Sequence, residues 1–68
     1  MSIIIYRVRF TDNKGEWCEY HTDRDDARYH FKLLTEDTTV RYCEWAKLCI
    51  TCYYEDEVES FTRKGVSE

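Results

Sequence analysis

TDRDDARYHFKLL, residues 22–34, is where the period of this sequence changes. Thr22 or Asp23 stands where a helix is capped, and Asp25 and Asp26 suit the positive N-terminal end of one. Ala27, Phe31 and Leu34 then fall at i, i+4 and i+7, with His30 beside them, which makes one amphipathic face. A helix over about residues 22–35 is the expectation. The sequence on both sides of it reads with period two.

Upstream, IIIYRVRF (3–10) alternates, with Ile4, Tyr6, Val8 and Phe10 on one face and Ile3, Ile5, Arg7 and Arg9 on the other. That pattern, in β-branched and aromatic residues, is a strand. TDNKG (11–15) is a short loop, with Gly15 free to take a positive φ, and EWCEYHT (16–22) alternates again. The two runs form a β-hairpin. Downstream, TTVRYCEW (38–45) and LCITCYYE (48–55) read as two more strands, joined by Ala46 and Lys47. Tyr42, Trp45, Ala46 and Cys49 also fit a helical spacing, but the opening threonines and valine favour strand. VESFTRKGVSE (58–68) reads as a tail from which Phe61 tucks back.

The expected fold is therefore α+β: a four-stranded antiparallel sheet with one helix on one face, in the order β-β-α-β-β. The 68 residues make one domain, residues 1–68, with 62–68 as a frayed tail. No second layer covers the other sheet face. Ile3, Ile5, Trp17 and Trp45 or Tyr53 are left to explain, and an apolar patch of that kind marks a partner surface or a homodimer contact.

Composition excludes several classes. The longest apolar run near the start is too short for a membrane span or a signal-peptide core, so a cytoplasmic protein with reduced thiols is expected. Net charge is −4; residues 1–34 are balanced at six basic and six acidic side chains, and residues 35–68 hold four basic and eight acidic. A chain of this balance is poorly suited to general duplex binding, which needs a basic face. There is no Gly-rich phosphate loop and no GxSxG elbow, so no catalytic residues and no cofactor are assigned.

Cysteine and histidine spacing raises a metal question. Cys18-x-x-His21 with Cys49-x-x-Cys52 offers four zinc-type ligands. Positions i and i+3 of a strand point to opposite faces, however, so neither pair converges. Free thiols and no metal are the expectation, with a zinc-stapled structural domain as an alternative. A second alternative is a single-stranded nucleic-acid module stacking bases on the open sheet through Trp17, Tyr53, Arg7 and Arg9.

YYEDEVE (53–59) carries the acidic excess. Four carboxylates beside flat rings suit a basic groove, the rings adding contact area at little entropic cost. As a strand, this run puts Glu55, Glu57 and Glu59 on one side and Asp56 on the other, with the carboxylates of one side about 7 Å apart, near the spacing of phosphates.

In its order of elements (IIIYRVRF, EWCEYHT, TDRDDARYHFKLL, TTVRYCEW, LCITCYY), its size and its acidity, the chain resembles small phage-encoded inhibitors of host machinery, anti-CRISPR proteins among them. The resemblance is one of build and spans residues 3 to about 59. It implies a stoichiometric inhibitor acting in the host cytoplasm on a protein or ribonucleoprotein complex with a basic surface. The residues expected to meet that partner are Tyr53, Tyr54, Glu55, Asp56, Glu57 and Glu59, with Ile5, Arg7 and Trp17 on the open sheet.

Overall fold

The computed structural model describes residues 3–52 and 54–63. Strand β1 (Ile4–Asp12) and strand β2 (Gly15–His21) form the expected hairpin, helix α1 (Arg24–Glu36) follows, and strands β3 (Val40–Cys49) and β4 (Tyr54–Thr62) complete the chain. All pairings are antiparallel and the sheet order is β2-β1-β3-β4. The α+β reading, with its four strands and one helix, is correct. No helix among the described residues is long and apolar enough to cross a membrane.

Local chemistry sets the element ends. The Asp12 carboxylate accepts from the backbone N–H groups of Lys14 and Gly15, closing the first turn, and Gly15 has φ +148°, a conformation that favours glycine. Asp23 caps α1 by accepting from the Asp25 N–H. The last turn of α1 has no basic residue of its own. Arg63 supplies one from beyond β4: its guanidinium donates to the carbonyls of Thr35, Asp37 and Val40. These include carbonyls that a helix end leaves without intrahelical partners.

Even-numbered β1 residues face α1. Val8 pairs with Trp45, and Phe10 with Cys43. Val8, Ala27, Leu34, Val40, Cys43 and Trp45 form the buried core, with Tyr6, Phe10, Phe31 and Phe61 packed against it. Burial pushes the Cys43 thiol up to about 11, with Arg63 as a weaker opposing influence.

Three sequence expectations need correction. Ala46 and Lys47 are not a turn. They lie inside β3, opposite Arg7 and Tyr6, and the chain reverses instead at Ile50–Cys52. The pairing explains this, because β3 must reach Cys49 to match Ile4 at the far end of β1. Neither alanine nor lysine supplies the positive φ that a two-residue hairpin turn needs. Second, Val58–Thr62 is not tail but the second half of β4, in which Glu59–Thr62 pair with Tyr42–Trp45; residues 64–68 lie outside the described residues. Third, Trp45 does not belong to the uncovered face: it is 1% exposed, under α1.

Candidate interaction surface

Two surfaces gather the residues singled out from sequence: the open sheet face and the edge strand β4. On the open face, Arg7 and Arg9 sit at alternate positions of β1, opposite Ala46 and Glu44 of β3. Their guanidinium groups both donate to Glu44, each at 3.1 Å, and Arg7 also donates to Glu55 at 2.7 Å. The Tyr42 hydroxyl donates to Glu44 as well. Glu44 is 4% exposed although no element among the described residues covers it. The side chains of Arg7, Arg9 and Tyr42 meet on its carboxylate.

Electrostatics follows from that arrangement. Burial by itself would raise the Glu44 carboxyl, but the Tyr42 hydroxyl and the two arginines outweigh it, and the group stays below the usual carboxylate range. Burial works against the Arg7 charge, and Glu55 and Glu44 more than offset it; the Glu44 charge likewise raises Arg9.

Trp17 does not share this face with Ile5 and Arg7. It pairs with Phe10, whose side of the sheet carries the helix, and stands 47% exposed beyond it. Strand β2 begins one residue earlier than EWCEYHT and continues the alternation of β1 across the turn, which fixes that side. The grouping of Ile5, Arg7 and Trp17 on one open face is therefore corrected: Ile5 and Arg7 belong to the open face, Trp17 to the helix side.

Strand β4 is an edge, paired on one side to β3. Its residues YEDEVESFT hold four acids and no basic residue. Tyr54, Glu55, Asp56, Val58, Glu59 and Ser60 are all exposed. The expected alternation of acids is broken. The ladder pairs Trp45 with Glu59 but Ala46 with Glu57, so Val58 is an extra residue, a β-bulge. Glu59 is thereby turned to the helix side, where it accepts from the Trp45 indole N–H at 2.9 Å. Glu55 stays on the open side with Arg7. Glu57 is placed by its backbone pairing alone, and Tyr53 lies outside the described residues.

At the tip of the β3–β4 hairpin, Ile50 and Tyr54 are exposed beside Leu48 and Glu55, lining a shallow depression with Cys49. Cys49 and Cys52 form a disulfide across the turn, with Cα atoms 5.7 Å apart. This corrects the expectation of free thiols. The faces of i and i+3 diverge only in an extended chain, and Ile50–Cys52 is a turn. Cys18 and Cys43 are free. Cys18 pairs with Arg9 on the open side while His21 pairs with Tyr6 on the helix side, so the four-ligand zinc set of the sequence does not assemble.

Sequence reasoning found the acidic strand and the arginines but missed Glu44 and Tyr42. Their i, i+2 spacing was visible, yet alternation by itself assigns such residues to solvent. Comparison with known proteins gave no matching family model, no matching curated protein and no matching solved structure.

Proposed function

We propose that this chain is a non-catalytic, stoichiometric binder that blocks a basic, nucleic-acid-holding surface on a partner protein or ribonucleoprotein, an inhibitor of the anti-CRISPR-like kind. The observation that carries this reading is strand β4: an exposed sheet edge with four acids, no base, and Tyr54 and Val58 among them. Carboxylates on such an edge stand in for phosphates, and their charge speeds encounter and sets register. The same charges discourage two copies from pairing edge to edge through β4.

The state of the arginines favours this reading over the single-stranded nucleic-acid module. Arg7 and Arg9 are held by Glu44 and Glu55, and Trp17 stands on the other side of the sheet. Arginines already paired to carboxylates are poor phosphate ligands, because a phosphate must first displace the partner. On the open face this polar network lies beside exposed apolar surface, with Tyr20 61% exposed opposite Arg7.

The test compares the native chain with an Asp56→Asn/Glu57→Gln variant for their effect on target-DNA binding by CRISPR effector ribonucleoproteins, read by mobility shift at two salt concentrations. The native chain is expected to block binding, less so at high salt, and the variant to block it markedly less while unfolding at the same temperature. Equal blocking by both, or none by either, removes the reading. Salt-dependent binding of the native chain to a single-stranded oligonucleotide would favour the alternative.

A further inference from the structure

We propose that Glu19, His21 and His30 form a binding site for one divalent transition-metal ion of the zinc class, which ties helix α1 to the edge strand β2. This site is distinct from the acidic β4 edge and from the cysteine set weighed from the sequence. The two-residue period of β2 puts Glu19 and His21 on the same face, opposite Val8 and Tyr6 of β1, and that face is the one α1 covers. His30, on the underside of α1, completes the cluster. Two consecutive elements, the edge strand and the helix, are thus joined by three donors.

The donor distances fit an ion. His21 Nε2 and His30 Nδ1 are 3.1 Å apart, and His30 Nδ1 lies 3.7 Å from Glu19 Oε1. All three donor atoms lie within 4.8 Å of one another. Ligands held 2.0–2.2 Å from a tetrahedral ion are about 3.3 Å apart, so the observed spacings need only small side-chain adjustments to converge. The histidine rings are half-buried and held edge-on: their planes meet at 73°, and the Phe10 ring packs against His30 at a centroid distance of 6.0 Å. Two imidazoles with one carboxylate are the donor set of three-ligand zinc sites, and imidazole suits zinc, cobalt, nickel and copper. The cleft beside the cluster, about 290 Å³ and also lined by Asp26, Tyr29 and Leu33, leaves room for a fourth ligand.

Without an ion, the same two rings share one proton in a hydrogen bond, and Glu19 is a solvated neighbour. Cobalt(II) distinguishes the two states. Chelator-stripped native protein is titrated with Co²⁺, and the visible d–d absorption is followed; Zn²⁺ is then added to displace it. The expected result is a saturable spectrum at one ion per chain, with no thiolate charge-transfer band, bleached by Zn²⁺. Glu19→Gln and His30→Gln should each weaken binding by more than about tenfold, since even loss of an outer-shell partner costs that much. Cys18→Ser should leave it unchanged. Zn²⁺ should raise the unfolding temperature of the native chain and not that of Glu19→Gln. Glu19 is exposed, so that variant folds even if His30→Gln does not. No saturable spectrum, a spectrum unaffected by Glu19→Gln and His21→Asn, or a thiolate band lost in Cys18→Ser would each overturn the assignment and leave a hydrogen-bonded histidine pair.

Discussion

The central β1–β3 pair is closed on its two faces in opposite ways. On one, α1 lays Ala27, Phe31 and Leu34 over Val8, Cys43 and Trp45, and the closure is apolar. On the other there is no second layer among the described residues, and Glu44 is buried by the arginines and tyrosine bonded to it. Arginine can do this because its aliphatic stem covers neighbouring surface while its planar head meets a carboxylate. The contrast teaches that a small α+β domain with one helix need not expose an apolar second face. It can fill that face with a polar network in which each charge meets an opposite one, here with the Nε–H groups of Arg7 and Arg9 left without a partner among the described residues.

The covered face should be the more costly to damage. Trp45→Ala removes the largest fully buried side chain and leaves Glu59 without its indole donor. A loss of about 3–5 kcal/mol is expected, measured by urea unfolding, enough to unfold a domain of this size.

Glu44→Ala tests the other face. It leaves Arg7 and Arg9 side by side without their shared counter-charge. Removing one partner of a fully buried pair costs about 3–5 kcal/mol. Arg9 is 42% exposed, so water screens part of the effect and about 1–3 kcal/mol is expected. If the network closes the face by shape more than by charge, Arg7→Met with Glu44→Leu should recover most of that loss, as apolar replacement of buried pairs often does.

The two faces should also differ in acid. The Glu44 carboxyl in the folded state lies below its ordinary value, so its contribution to stability is complete above the usual carboxylate pKa. It is lost as the pH falls through the lowered folded value. A Glu44→Gln variant should be less stable than the native chain near neutrality and should show a flatter acid limb in a plot of unfolding free energy against pH.

The hairpin tip lies outside both closures. Replacing Cys49 and Cys52 together with serine opens only a short loop, and chain entropy sets the cost at no more than about 2 kcal/mol. The smallest effect belongs to the rim. Glu55→Gln removes the charge that pairs Arg7 with a half-exposed carboxylate, and its effect on the unfolding free energy should be under about 1 kcal/mol, measured by urea unfolding.

What the sequence by itself determined is local and periodic. The change of period at Thr22–Asp23 marked α1, Asp23 marked its cap, and the alternation through Ile4, Tyr6, Val8 and Phe10 marked the face that the helix covers. These are legible because helix and strand periods and caps depend on neighbours within a few residues. Tertiary structure decided where strands end and which way residues point after an interruption. Ala46 and Lys47 stay in strand because β1 is long enough to pair with them, and the turn falls at Ile50–Cys52, which brings Cys49 to Cys52. One extra residue at Val58 sends Glu59 to the helix side and separates it from Glu55. Glu44 is buried only because strands far apart in sequence are brought side by side, and His21 meets His30 only because α1 folds back over the strand that precedes it. Register is a pairwise property, set by the partner strand, and a shift of one residue reverses every side chain beyond it.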